Sequence, residues 1–183
     1  MISIHALRRK RRSGLTLLEL AMSIAVMVVG VSALASTVVT GSALNQVSHE
    51  TETARKAIET QIDAMRSTAF AQVFATYNGV GGDDPGGANT APGQYFAVAG
   101  LTPLAGAPGG VAGRIIFPST GPELRESAVD TTIGMPRDLN LDGAVDALDH
   151  AGDYMILPVR VRVQWMGASG PRTVELQTQI SGL

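Results

Sequence analysis

The stretch that decides the fold of this chain is residues 8–20, which read RRKRRSGLTLLEL. A run of cations ends at Arg12, and no charged residue occurs from Leu20 to Val39. Those 20 residues would rise about 30 Å as an α-helix, which is enough to cross the hydrocarbon core of a bilayer. Because the cations precede the apolar run and none follows it at once, the leader is expected to stay in the cytoplasm.

The composition supports a membrane segment and excludes several kinds of site. Only 16% of the 183 residues are charged, against about 25% in soluble domains, and the length suits one domain, or one domain with an appendage. Since the chain has no cysteine, disulfides, thiolate metal sites and cysteine nucleophiles are excluded. All 16 acidic residues follow Leu15, so the body of the protein is acidic and no nucleic-acid partner is predicted.

Glu19 is the unusual residue, because a carboxylate inside an apolar segment costs roughly 2.5–3.5 kcal/mol on membrane-insertion scales. Two interpretations are open. In the first, Glu19 lies at the headgroup edge and extends its carboxylate toward water. In the second, cleavage after Gly14 creates a new α-amine at Leu15, and this amine pairs with Glu19 of a neighbouring subunit packed at an axial offset.

A basic leader, a glycine and the apolar segment LTLLEL together resemble the class III signal of type IV pilins and type II secretion pseudopilins. The resemblance is specific over residues 8–40. It implies that prepilin peptidase cuts after Gly14, that the new N-terminus at Leu15 is methylated, and that Glu19 is the assembly glutamate. Leucine stands at position 15, where the family usually has phenylalanine, and no proline interrupts the helix near Ser36. These departures favour a minor pilin or a pseudopilin over a major pilin.

The same resemblance implies a fold and a location. The expected fold is α+β, with a long N-terminal helix, half transmembrane and half amphipathic, packed on a small antiparallel β-sheet. The predicted segments are the leader 1–14, the transmembrane and filament-core helix 15–40, the amphipathic helix 41–77 and the head 78–183. The bacterial precursor would be a single-pass inner-membrane protein with its head in the periplasm. After processing it would join other subunits in a type IV pilus, a secretion pseudopilus or a competence filament, and so reach the cell surface.

An ordinary secretory signal is the competing interpretation. Residues 33–35 (ALA) fit an A-x-A cleavage site, which would make Ser36 the first mature residue, and the arginine pair at 11–12 suits twin-arginine export. The corresponding function is a secreted or membrane-anchored calcium-binding adhesion module. An acid so early in the apolar region, and a helical pattern that continues past Ala35, favour the pilin-type signal.

The helical pattern changes character after the apolar run. Between Leu44 and Tyr77 apolar residues recur every three or four positions, which predicts an amphipathic helix that can lie on a sheet. Residues 78–113 are rich in glycine and proline and predict a long surface loop, with one short strand at 94–98.

The C-terminal part predicts strands. Residues 114–117 (RIIF) predict one strand, and alternating apolar residues over 157–180, with a turn at 166–171, predict a β-hairpin. Trp165 continues the apolar face of its strand and is expected in the core. This ending loosely resembles that of V-type minor pilins and I-type minor pseudopilins.

Residues 138–149 read DLNLDGAVDALD and fit the twelve-residue EF-hand calcium loop. Oxygen-bearing side chains stand at positions 1, 3, 5, 9 and 12, a glycine stands at position 6 and a valine at position 8. Ca²⁺ takes six to eight oxygen ligands, which alternate residues of a tight loop can supply. The predicted ligands are Asp138, Asn140, Asp142, the backbone carbonyl of Ala144, Asp146 and Asp149.

The aspartate at position 12 of this loop resembles the dockerin type rather than the calmodulin type. Pro136 lies just before the loop, so the incoming helix of a full EF-hand is missing and the site is expected to stabilise the head rather than act as a sensor. The alternative is an acidic surface turn that binds nothing. Four carboxylates in twelve residues repel one another without a cation, which favours Ca²⁺.

No catalytic constellation is evident. The three histidines, His5, His49 and His150, fall in the leader, the helix and the end of the calcium loop. The chain has no nucleophile elbow, no H-E-x-x-H and no phosphate-binding loop. The protein is therefore not expected to be an enzyme.

Overall fold

The structure is a computed structural model that describes residues 16–182. The predicted processing residues Gly14 and Leu15 lie outside the described residues. The chain divides into two compact units, of which the first ends at Leu44 and the second begins at Asn45. Helix α1 (Leu17–Ser67) supplies residues to both, and each unit is described by itself.

Helix α1 begins with a capped first turn. Thr16 precedes the helix; its carbonyl accepts from the backbone N–H of Leu20 at 3.1 Å, and its Oγ1 accepts from the N–H of Glu19 at 3.3 Å. A threonine hydroxyl on the N–H three residues later is the N-cap arrangement, and T-x-x-E is the sequence of a capping box. Glu19 therefore lies in the first turn, where the positive end of the helix dipole also favours a carboxylate.

The part of α1 in the first unit exposes apolar residues on every side. All of its large apolar side chains are more than half exposed, from Leu20 at 53% to Leu17 at 87%. Among residues 16–182, α1 is the one helix whose length and composition would allow it to cross a membrane, and a signal sequence would meet the same criterion. This helix is compatible with a single-pass membrane anchor.

Five of the six serine and threonine hydroxyls of this apolar segment bond within the helix. Each of the five donates a hydrogen bond to a backbone carbonyl three or four residues earlier, at 2.8–3.0 Å. The residues concerned are Ser23, Ser32, Thr37, Thr40 and Ser42. Because an unsatisfied polar group costs several kcal/mol in hydrocarbon, this internal bonding removes a main obstacle to burying the segment in lipid or between apolar helices.

In the second unit, α1 packs on an antiparallel sheet, and the predicted α+β layout is confirmed. Ala54, Ile58, Ile62 and Met65 are all less than 5% exposed and recur at steps of four, four and three. This spacing places them on one helix face, which is the face that joins the core. The amphipathic helix was predicted from this same periodicity.

The end of the helix differs from the prediction. Helix α1 ends at Ser67, and a separate helix α2 (Phe70–Tyr77) follows. At the junction Ala69 takes an extended backbone conformation, with φ −54° and ψ 124°. The hydroxyl of Tyr154 donates to the carbonyl of Phe70 at 2.6 Å and accepts from the N–H of Phe74 at 3.2 Å. A tyrosine about 80 residues away therefore holds the start of α2, which no local periodicity could indicate.

The main sheet has four strands in the order β1-β2-β5-β6, and every neighbouring pair is antiparallel. The strands are β1 (Tyr95–Phe96), β2 (Gly113–Ile116), β5 (Ile156–Gly167) and β6 (Gly170–Ser181). A second, two-stranded sheet joins β3 (Ser119–Thr120) to β4 (Glu123–Leu124). The strand predicted at 114–117 is confirmed as β2, which begins and ends one residue earlier than predicted. The strand predicted at 94–98 is confirmed as the short β1.

The predicted C-terminal hairpin is confirmed and is longer than expected. Strands β5 and β6 pair along their whole length, and the turn contains only two residues, 168–169, rather than the six predicted. Gly170 makes this tight turn possible, because its φ of 114° is open to glycine and rarely to other residues. The apolar face of β5, which includes Val159, Val161 and Val163, is fully buried.

Trp165 lies in the core, as predicted, and is 1% exposed. Its indole N–H donates to Oε2 of Glu50, on α1, at 3.0 Å. This hydrogen bond is the largest cause of a lowered pKa at Glu50. The carboxylate of Glu50 on the helix thus accepts the hydrogen bond of a buried donor on the sheet. This hydrogen bond links the two layers of the second unit.

Candidate functional site: the acidic loop and the Glu126–His150 cluster

The acidic loop, residues 138–149, has neither helix nor strand and is shaped by its own side chains. The carboxylate of Asp138 accepts from the N–H of Leu141 at 2.6 Å and from the N–H of Gly143 at 2.8 Å. Gly143 has a φ of 93°, so the glycine of position 6 is required by the backbone. The first half of the loop therefore curls around Asp138.

Three further predicted ligands form local turns. Asn140, Asp142 and Asp146 each accept, through a side-chain oxygen, from the N–H two residues later, at 3.1, 2.8 and 2.7 Å respectively. Such turns hold the side chain close to the backbone of its own loop. The residue whose N–H donates to Asp142 is Ala144, and the backbone carbonyl of Ala144 is one of the predicted ligands.

Asp149 ends the loop and connects it to a neighbouring strand. Its Oδ1 accepts from the N–H of Leu124, on β4, at 2.9 Å and from the N–H of Ala151 at 3.0 Å. The described structure therefore gives Asp149 a structural contact in addition to its predicted role as a calcium ligand.

Glu126, to which no sequence motif points, lies outside the loop and binds its backbone. Its side chain is 1% exposed. Oε1 accepts from the N–H groups of Leu139 and Asn140, and Oε2 accepts from the N–H of Asp146 at 3.2 Å. Three backbone donors on one buried carboxylate offset much of its desolvation cost. Glu126 lies outside the loop motif, and no local signal in the sequence could have indicated this role.

His150 lies beside Glu126 and is also buried, at 4% exposure. Its Nδ1 is 3.0 Å from Oδ1 of Asp153, and its Nε2 is 3.1 Å from Oδ1 of Asp146 and 3.8 Å from Oε2 of Glu126. Burial alone would lower the pKa of His150, but the hydrogen bonds to Asp146 and Asp153 and the charge of Glu126 outweigh it and raise the pKa. The pKa of Asp146 is lowered, first by the N–H of Leu148 and then by His150.

Glu126, Asp146 and His150 each place one ligand-type atom within 4.8 Å of the other two. We call these three residues the Glu126–His150 cluster. Within residues 16–182 it is the one group of three acidic or histidine side chains that converges in this way. Of the predicted calcium ligands it contains only Asp146. The other loop carboxylates, Asp138, Asp142 and Asp149, form no such group in the described structure.

Comparison with known proteins does not identify the chain. No protein-family model matches it, and neither a curated protein nor a solved structure matches it.

Proposed function

We propose that this protein is a structural subunit of a filament of the type IV pilin kind, either a minor pilin or a pseudopilin, and not an enzyme. The observation that carries the proposal is the N-terminal half of α1. It is apolar, exposed on every side and uninterrupted, and it has one acidic residue in its first turn. The basic leader and the glycine that precede this helix complete the pilin-type signal.

An apolar surface of this extent needs an apolar environment. Before assembly a bilayer would supply it, with the cationic leader on the cytoplasmic side and the head in the periplasm. After assembly, the same helices of other subunits would supply it. Because five of the six hydroxyl groups of this segment bond within the helix, the same surface suits both environments.

Glu19 has two roles in this proposal. In the capping-box sequence T-x-x-E of residues 16–19 the glutamate side chain favours the start of α1. Once Leu15 is the first residue, its α-amine is four residues before Glu19 in the sequence. If a neighbouring subunit is offset along the filament, that amine can meet the glutamate in a region without water, where an unpaired charge is costly.

The processing site gives the first test. Full-length protein purified from cells that contain prepilin peptidase is expected to begin at Leu15, with one added methyl group, and Gly14→Val is expected to remain unprocessed. The measurement is mass spectrometry of the N-terminal peptide. Gly30→Ala is the matched control, because a Cβ at Gly30 meets no atom within 4 Å and processing should be unchanged.

The competing secretory interpretation predicts a different N-terminus. A mature protein that begins at Ser36 would contradict the filament proposal and favour the secreted adhesion module. The described helix continues through residues 33–35 without a break, which supports cleavage at the leader instead.

We also propose that the acidic loop binds Ca²⁺ and stabilises the head. The donor chemistry fits the ion, since Asp138, Asp142, Asp146 and Asp149 provide carboxylates and residues 138–149 contain no cationic side chain. The turn at Gly143 has the backbone that position 6 of such a loop requires. Extracellular calcium sites with Kd values of about 10⁻⁴–10⁻³ M are common, so the site need not be tight.

Calcium is therefore expected to raise the melting temperature of the full-length chain in detergent. At ~10 mM Ca²⁺ and a Kd in that range, binding stabilises the folded state by about 1.4–2.7 kcal/mol, or roughly 3–10 °C for a chain of this size. Asp138→Asn keeps an oxygen for the local turn but removes the charge, so most of this shift should disappear. Asp63→Asn, at an exposed position of α1, is the control that keeps it. A melting temperature that excess chelator leaves unchanged would show that the loop has no calcium role.

A further inference from the structure

We propose that the Glu126–His150 cluster is a binding site for a divalent transition metal of the zinc type, separate from the calcium loop. The ligands would be Nε2 of His150, Oδ1 of Asp146 and Oε2 of Glu126. This proposal rests on the geometry of the cluster and does not depend on the filament function.

The first argument is the spacing of the three atoms. Nε2 of His150 lies 3.1 Å from Oδ1 of Asp146 and 3.8 Å from Oε2 of Glu126, and each of the three residues places one ligand-type atom within 4.8 Å of the other two. A tetrahedral zinc ion with bonds of about 2.0–2.2 Å holds its ligand atoms about 3.3–3.6 Å apart. Small side-chain adjustments would therefore bring the three atoms to bonding distance from one ion.

The second argument is the bonding of the imidazole. Both ring nitrogens of His150 face carboxylate oxygens, with Asp153 at Nδ1 and with Asp146 and Glu126 at Nε2. An ionised carboxylate only accepts hydrogen bonds, so a neutral imidazole would leave one nitrogen facing an acceptor with no proton between them. A cation is needed at Nε2, and it is either a proton or a metal ion.

The third argument favours the metal. A carboxylate on the non-ligating nitrogen is the usual partner of a metal-bound histidine, because it fixes the ring and leaves the other nitrogen free to bind. Asp153 occupies that place at Nδ1. A proton at Nε2 would bond Asp146 but not Glu126, whose Oε2 accepts from the backbone N–H of Asp146 and lies 3.8 Å from Nε2, beyond hydrogen-bond distance. A metal ion would engage both.

The fourth argument is charge and access. Glu126 and His150 are at least 95% buried, and three carboxylates surround one imidazole. A single proton leaves this group with an excess of negative charge beside the buried Glu126 and His150, and a divalent ion offsets that charge better. The Asp146 side chain is 37% exposed, so an ion can enter from that side and keep a water as a further ligand.

The ligand types separate this site from the calcium loop. An imidazole nitrogen favours transition metals such as Zn²⁺, whereas Ca²⁺ takes oxygen ligands alone. Only Asp146 is shared between the two sets. Substitutions at His150 and at Asp138 should therefore affect different ions.

The test is metal binding by the full-length chain in detergent, after chelator treatment and dialysis. Native protein is expected to bind one equivalent of Zn²⁺ by elemental analysis, and Co²⁺ in its place should give visible bands typical of tetrahedral coordination. His150→Gln should weaken Zn²⁺ binding at least 100-fold. Asp153→Asn, which removes only the partner of Nδ1, should weaken it by about 10–100-fold. The exposed His49→Gln and the calcium-loop variant Asp138→Asn should bind Zn²⁺ as the native chain does.

Several outcomes would overturn the proposal. These are no bound Zn²⁺ at micromolar concentrations, equal binding by His150→Gln, or a Co²⁺ spectrum without tetrahedral bands. If the native chain binds no metal and is stabilised only by protonation at lower pH, the cluster is an ion pair and not a metal site. Should His150→Gln fail to fold, Asp146→Asn at the more exposed position replaces it, and unchanged Zn²⁺ affinity in that variant counts against the site.

Discussion

Replacement of Glu19 by alanine is expected to prevent incorporation of this protein into filaments while its head remains folded. If Glu19 pairs with the α-amine of a neighbouring subunit away from water, removing one partner leaves a charge uncompensated and costs about 3–5 kcal/mol. That loss corresponds to a decrease in the affinity between subunits of about 100-fold or more. The measurement is the amount of protein in sheared filaments relative to the membrane fraction.

Glu19→Gln separates the two roles of this residue. A glutamine at the same position still serves in a capping box, so the start of α1 would be preserved, but it carries no charge. If Glu19 acts through charge pairing, Glu19→Gln fails to assemble as Glu19→Ala does. If it acts only through capping the helix, Glu19→Gln assembles normally and Glu19→Ala does not.

Glu52→Ala is the matched control for these variants. Glu52 lies on the same helix, its side chain is 59% exposed, and its one ion pair within residues 16–182 is with the exposed Lys56 at 3.5 Å. Such a surface pair contributes little, so assembly should be unchanged. Normal assembly of Glu19→Ala, with the native content of filaments, would falsify the proposed pairing.

Replacement of Trp165 by alanine is expected to lower the free energy of unfolding by about 3–5 kcal/mol, the usual cost of removing a fully buried large aromatic side chain. The free energy of unfolding of most domains is only about 5–15 kcal/mol, so this variant should melt at a much lower temperature than the native chain or fail to fold. The measurement is urea or thermal denaturation of the full-length chain in detergent, followed by far-ultraviolet circular dichroism. Met166→Ala, at the neighbouring position that is 47% exposed, should lower stability by much less.

Glu50 provides the second part of this test. Glu50→Ala leaves the buried indole N–H of Trp165 without its acceptor and should lower the free energy of unfolding, by less than Trp165→Ala does. The pKa of Glu50 is lowered in the folded chain, first by the Trp165 hydrogen bond, so its contribution is present above the unfolded pKa and is lost as the pH falls through the folded pKa. Glu50→Gln keeps an acceptor but should lose this part of the acid sensitivity. An identical pH dependence in native protein and Glu50→Gln would contradict the assignment.

Local patterns were sufficient to predict most elements of the fold. The apolar run after Leu20 and the three- and four-residue spacing of Ala54, Ile58 and Ile62 indicated a long helix with two kinds of surface. Alternation over 157–180 indicated the hairpin, because neighbouring residues of a strand face opposite sides of the sheet. The position of Gly143 indicated the tight turn of the acidic loop. Each of these signals depends on residues within a few positions of one another.

Contacts between distant residues could not be predicted in the same way. The helix was expected to reach Tyr77, but it ends at Ser67, and Tyr154 bonds the start of α2. The place of Glu126 behind the acidic loop, 13 residues from Leu139, was likewise unexpected.

The sequence by itself determined the apolar helix that follows the cations, the amphipathic helix, the hairpin and the acidic loop, because period, charge and turn chemistry are local properties of the chain. Only the tertiary structure decided which buried polar groups meet. Glu50 reaches Trp165 across 115 positions, and Glu126 meets His150 beside the loop. The physical reason is that a buried donor or charge needs a hydrogen-bond partner, and core packing decides which residue is close enough to serve. No short stretch of sequence specifies that residue.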